Sequence, residues 1–129
     1  MNRTPAQARL LLVDDSANFL KALHGYLAQF RQLMVVGTAS TGEHAIALAE
    51  QLAPDVVVMD AQMPGIGGLA ATRIVKSLPR APKVLLLTLF DHGEVRSAAR
   101  EAGADFFIAK DRLHDEFPAV MAQLAGGRP

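Results

Sequence analysis

Several side chains in this sequence stand where short apolar runs end. Asp14 and Asp15 follow residues 10–13, Asp60 follows residues 56–59, Thr88 follows residues 84–87, and Lys110 comes shortly after residues 106–108. If those runs are parallel strands, the endings share one edge of a sheet, because open α/β sheets gather ligands beyond the carboxyl ends of their strands. Three carboxylates crowded at one edge repel each other by roughly 4 kcal/mol per pair at contact distance, in an effective dielectric of about 20. A hard divalent cation relieves that repulsion, magnesium ahead of calcium, because magnesium readily shares a few carboxylates with waters and phosphoryl oxygens. Lys110 adds one further positive charge. The chemistry this set suits is phosphoryl transfer, with Asp60 as the nucleophilic carboxylate, the metal screening the incoming anion, and Thr88 and Lys110 holding its outer oxygens.

Each residue also has a plainer reading. Asp14 and Asp15 fit the start of a helix, where acidic side chains cap and complement the dipole. Asp60 at a buried strand end needs a partner, and a structural ion pair with Lys110 would satisfy it. Thr88 suits a strand by its β-branch, and Phe107 suits a core. Joint placement at one edge is what favours chemistry. Gly65, Gly67 and Gly68 read as a loop, and the lysine and hydroxyl residue of a phosphate-binding loop are missing. His24, His44, His92 and His114 show no ligand spacing, and Arg96, Arg100 and Arg112 read as a solvated face.

The elements that must position these groups follow from pattern. The apolar runs at 10–13, 34–37, 56–59, 84–87 and 106–108 are continuous rather than alternating, as in strands buried on both faces. Between them apolar residues recur at helical spacing: Phe19, Leu20, Leu23 and Leu27; Ile46, Ala49 and Leu52; Val95, Ala98, Ala99 and Ala102; Phe117, Val120, Met121 and Leu124. Pro54, the stretch 64–68, Pro79, Pro82 and Gly103 mark boundaries, with Gly103 as a helix C-cap. Five strands alternating with five helices predict an α/β, doubly wound parallel sheet in a single domain over residues 1–125, with residues 126–129 as a tail or the start of a linker.

Composition limits the alternatives. A chain of 129 residues, 50% hydrophobic and 20% charged, has the mass for one core. Thirteen basic residues balance thirteen acidic ones, so no long-range field draws it to nucleic acid or to an anionic membrane. Without cysteine it has no disulfides and no thiolate metal site, which fits a cytoplasmic protein. The run at 10–13 is too short for a membrane span or a signal-peptide core.

Taken together, Leu12-Val13-Asp14-Asp15-Ser16, Val58-Met59-Asp60-Ala61-Gln62-Met63-Pro64-Gly65, Leu87-Thr88, Gly103-Ala104-Asp105 and Phe107-Ile108-Ala109-Lys110 resemble the two-component response-regulator receiver domain, from about residue 9 to 124. The resemblance implies a flavodoxin-like sheet in strand order 2-1-3-4-5. It implies Mg2+ held by Asp14, Asp15, Asp60 and the backbone carbonyl of Gln62, and a phosphoryl group taken onto Asp60 from a histidine kinase or phosphotransfer protein. Thr88 and Lys110 would sense that group, and Thr88 and Phe107 would form the switch, with homodimerisation as one further response. Such a domain promotes its own Mg2+-dependent phosphorylation and dephosphorylation without being a conventional enzyme.

Val36-Gly37-Thr38-Ala39, Met63-Pro64-Gly65 and Lys110-Asp111 are similar to the branch whose members carry a helix-turn-helix DNA-binding domain, which points to transcription regulation. No DNA-reading element lies in these residues themselves. Two departures stand out. Asp111 occupies the place where many receivers have proline, so no cis bond is expected after Lys110. Phe107 stands where tyrosine is common and, lacking a hydroxyl, should favour a buried position. Gln62 and Phe90, two residues beyond Asp60 and Thr88, are the candidates for setting phosphoryl lifetime.

Other functions fit less well. A flavin-binding module would need hydroxyl and glycine residues after the first strand, where Asp14-Asp15-Ser16 stands. A phosphatase working through an aspartyl-phosphate would need a second acid two residues after its nucleophile in the first strand's loop, and Ser16-Ala17 continues instead. A receiver-like interaction module independent of phosphorylation is the remaining alternative.

Overall fold

The computed structural model describes residues 7–126. Strands β1 (Ala8–Val13), β2 (Leu33–Ala39), β3 (Val56–Asp60), β4 (Lys83–Thr88) and β5 (Phe106–Ala109) alternate with helices α1 (Ala17–Leu27), α2 (Gly42–Leu52), α3 (Gly67–Lys76), α4 (Gly93–Ala102) and α5 (Leu113–Gly126), the last entered through a 3-10 turn at Lys110–Arg112. All strand pairs are parallel and the order is β2-β1-β3-β4-β5, the arrangement expected. Strand order reverses between β1 and β3, which opens a crevice at their carboxyl ends.

Successive residues of each central strand face opposite layers, and both layers are apolar. Leu10, Leu12, Val58, Leu85, Leu87 and Ile108 pack with Leu23 and Leu27 of α1 and Phe117 of α5. Leu11, Val13, Val57, Met59, Val84 and Leu86 pack against the small faces of α2, α3 and α4, through Ala45, Ala49, Ala71, Val75 and Ala99. Strands β3 and β4 are the continuous buried runs expected, save for Lys83.

Elsewhere the structure departs from expectation. Strand β2 is not buried on both faces: it is an edge strand, with Met34 and Thr38 exposed. Its register against β1 skips Val36 between Leu10 and Leu11, a bulge of the kind common at sheet edges. Gly67 and Gly68 are not loop but the first turn of α3. The N-cap of α1 is Ser16 rather than Asp14 or Asp15. Helix α5 runs to Gly126, and residues 127–129 of the expected tail or linker lie outside the described residues. Gly103 caps α4 in the left-handed conformation as expected. Ala53 does the same for α2 without being glycine, and the Arg9 guanidinium donates to the Leu52 and Ala53 carbonyls at 2.7 and 2.8 Å, where a cation complements the helix dipole. The described residues contain no cis peptide bond and no helix long and apolar enough to cross a membrane.

Gly68 fixes how closely α3 approaches the end of β3. A Cβ there would stand 1.9 Å from the Asp60 carbonyl oxygen, whereas one at Gly25, on the exposed face of α1, would meet nothing within 4 Å. Gly68→Ala should therefore cost about 3 kcal/mol in chemical denaturation by forcing backbone apart. Gly25→Ala should gain about 0.5–1 kcal/mol in the same measurement through helix propensity.

Candidate functional site

Parallel register decides which side chains meet. Val13 pairs with Met59, so the residues that follow, Asp14 and Asp60, emerge at one level of the edge. Asp60 pairs with Leu87, and Thr88 with Ala109, which brings Thr88 and then Lys110 one step further along. Asp14, Asp15 and Asp60 each present a carboxylate oxygen within 4.8 Å of the others, and they form the one such cluster of potential metal ligands among the described residues. Asp14 and Asp60 are buried while Asp15 is exposed.

The lone ammonium in this cluster belongs to Lys110. Its Nζ donates to Asp14 Oδ2 at 2.7 Å and stands 3.6 Å from Asp60 Oδ2. Asp14, not Asp60, is thus its closer partner. The remaining oxygens are held by backbone: Asp14 Oδ1 accepts the Ser16 N–H at 2.8 Å, and Asp60 Oδ1 accepts the Gln62 N–H at 3.1 Å. Burial pushes the Asp60 carboxyl above its ordinary pKa, and repulsion from Asp14 and Asp15 adds to that, against the lowering pull of the Gln62 N–H and the Lys110 ammonium. All-oxygen donors, two of them buried, with one cation for three acids, suit a hard divalent ion.

Thr88 is buried beside this group, yet its hydroxyl is engaged elsewhere. Oγ1 accepts the Phe90 N–H at 3.1 Å and donates to the Phe90 carbonyl at 3.0 Å. Phe90 itself is exposed and stacks on His92. Phe107 is half-buried rather than enclosed, with the Arg96 guanidinium 5.0 Å from its ring centroid. Arg96 is gripped by Asp91 at 2.7 and 2.8 Å, and Arg112 pairs with Glu116, so two of the three arginines read as a solvated face are paired at the surface.

Three further residues shape the site. Ser16 ties Asp14 to the start of α1, since its Oγ accepts the Phe19 N–H at 3.1 Å; a serine just before a helical apolar pattern is the signal that could have found it. The Phe19 ring lies 4.2 Å from Lys110 Nζ, and nothing in helical spacing distinguishes that from core packing. Gly68 permits the close approach beneath Asp60.

The chain is similar to known proteins in both sequence and fold. The family profile described as response regulator receiver domain matches residues 10–121. Response regulator GacA of Pseudomonas aeruginosa is 36% identical over 121 residues, covering 93% of this chain and 56% of its own length. The chain therefore spans little more than half of that relative. Among solved structures, the signal receiver domain of response regulator NarL from Mycobacterium tuberculosis superposes with a TM-score of 0.87 at 30% identity, covering 96% of this chain and all of that one. A LuxR-family response regulator from Aurantimonas superposes equally well, at 29% identity over 95% of this chain and 88% of that one.

The raised Asp60 pKa makes a prediction about stability without metal. A carboxyl whose pKa is higher folded than unfolded binds its proton more tightly in the folded state, so stability falls as pH rises through the window between the two values. Asp91, held low by the Arg96 hydrogen bonds, acts in the opposite sense but lies at the surface, where solvent screens it. With chelator present, Asp60→Asn should remove the fall due to Asp60 and melt higher than wild type at neutral pH. Thermal melts of both proteins across the acid to neutral range would check it, and identical pH profiles would refute it.

Proposed function

The chain belongs to the response regulator receiver domain family of two-component systems, and on that premise we propose that Asp60 is its phosphoacceptor, with Mg2+ held by Asp14, Asp15, Asp60 and the backbone carbonyl of Gln62. The observation that carries this reading is a buried Asp60 within 4.8 Å of two other carboxylates, with one ammonium to offset them. Bound at this edge, the cation neutralises surplus negative charge and polarises phosphoryl oxygens. A carboxylate oxygen of Asp60 attacks phosphorus in line, and the bond from phosphorus to the donor breaks, its electron pair leaving with the donor atom. The donor is a histidine kinase or phosphotransfer protein in the cytoplasm, and a small acyl phosphate can replace it in the test tube.

Lys110 and Thr88 then respond. Lys110, already within 3.6 Å of Asp60, moves its hydrogen bond from Asp14 to a phosphoryl oxygen. Thr88 gives up both bonds to Phe90 and turns its hydroxyl to the same group. The loop it releases carries Asp91, which holds Arg96, which covers Phe107. Movement at Thr88 is thereby passed to the surface formed by α4 and β5. Helix α4 is the element suited to yield, because it buries only the small side chains Ala99 and Ala102 completely. In the whole protein this surface change controls an output that regulates transcription, with homodimerisation as one route.

Incubation with Mg2+ and acetyl phosphate should add one phosphoryl group by intact mass, and Asp60→Ala or a chelator should abolish the gain. No gain, together with no binding of beryllofluoride, would favour an interaction module that works without phosphorylation. Amide exchange in α4 should quicken on phosphorylation, and unchanged exchange there would remove this helix from the switch.

A further inference from the structure

Building on the phosphoacceptor reading, we infer that Phe19 is a positioning residue for phosphoryl transfer: its ring holds the Lys110 ammonium at the acidic edge while that ammonium changes partner from Asp14 to the phosphoryl group on Asp60. A closed circuit of contacts supports this. Asp14 Oδ1 accepts the Ser16 N–H at 2.8 Å, Ser16 Oγ accepts the Phe19 N–H at 3.1 Å, the Phe19 ring centroid is 4.2 Å from Lys110 Nζ, and Lys110 Nζ returns to Asp14 Oδ2 at 2.7 Å. Ring and carboxylate thus hold the same ammonium, and a single helix start fixes both.

The two holds differ in kind. The hydrogen bond to Asp14 is directional and must break when the ammonium turns to a phosphoryl oxygen. Attraction to the negative face of a ring makes no demand on any one N–H, so the ammonium can pivot toward Asp60 without leaving it. Side-chain exposure of Lys110 is only 9%, and cation–π attraction is stronger where water is excluded. Without the ring, the flexible four-carbon stem of lysine would have no second anchor once Asp14 is given up, and the charge would lose its orientation at the moment of transfer. Phe19 can serve as a fixed platform because it sits in the capped first turn of α1 and packs against the core on the α1 and α5 side of the sheet.

Leucine at position 19 keeps an apolar side chain against that core but has no π face, and tyrosine keeps the face. The test compares the wild-type 129-residue chain, Phe19→Leu and Phe19→Tyr, with rates of phosphorylation by acetyl phosphate in Mg2+ and with NMR of the Lys110 ε-methylene, assigned by its loss in Lys110→Arg. Wild type and Phe19→Tyr should show that methylene displaced upfield by the ring, before and after Mg2+ and beryllofluoride are added. Phe19→Leu should lose the displacement and react about three- to twentyfold more slowly at high donor, the range that a contact of this type accounts for. Its half-saturating donor concentration and melting temperature should stay close to wild type. An unimpaired Phe19→Leu, a Phe19→Tyr as slow as leucine, or an undisplaced methylene in wild type would overturn the inference. Failure of wild type itself to take a phosphoryl group would bring down the phosphoacceptor reading along with it, whereas normal wild-type reaction with an unimpaired Phe19→Leu brings down this inference alone.

Discussion

A shortage of positive charge governs the acidic edge. Three carboxylates face one ammonium, and the two that are buried cannot escape into water. Asp14 is satisfied by Lys110 and by the Ser16 amide, which leaves Asp60 with the more distant share of the ammonium and a single backbone donor. Taking charged groups out of water costs several kcal/mol per ion, a penalty that the strongly packed sheet around them offsets. The wholly buried stretches of β3 and β4 supply that support. The same burial that makes an ionised Asp60 costly in the free protein strengthens every attraction it makes to an incoming cation. A cation bound at this edge would therefore stabilise the fold.

Much of this was legible in the sequence, for identifiable reasons. Central strands of a parallel sheet must be apolar on both faces, so β3 and β4 announce themselves as unbroken runs, and the first polar residue at each run's end marks the carboxyl edge. Asp14, Asp60 and Thr88 were readable from that rule alone. The strand order, the Gln62 carbonyl as a metal ligand and the pairing of Thr88 with Phe107 as a switch came from the resemblance instead. Strand β2 fitted the rule least well because an edge strand keeps one side toward solvent, and its bulge at Val36 has no signature in a run of Val and Gly.

What was not legible depends on where side chains turn after leaving their element. Phe19 and Leu20 are both half-buried neighbours at helical spacing, yet the ring of Phe19 lies against the ammonium of Lys110. The Thr88 hydroxyl turns into the following loop rather than toward Asp60. Gly68 looked like one more loop glycine, although its missing side chain is what lets α3 pass beneath the Asp60 carbonyl. The chain from Asp91 through Arg96 to Phe107 joins residues whose types alone suggest solvated charge and core. The Phe19, Gly68 and Phe107 contacts are tertiary, which a local pattern does not encode, while the Thr88 bonds to Phe90 are local but depend on a rotamer that residue types do not fix.

The bond between Lys110 and Asp14 spans 96 residues of sequence. The ammonium reaches the first strand's edge only with β5 docked on β4, and β4 on β3, and closing so long a separation costs more chain entropy than a local contact. A partly folded chain can already possess Asp14 and Asp60 on neighbouring strands, but it lacks their countercharge. In the proposed phosphoacceptor reading, responsiveness to a phosphoryl donor would therefore also report that β5 is docked, since only then does Lys110 reach Asp14.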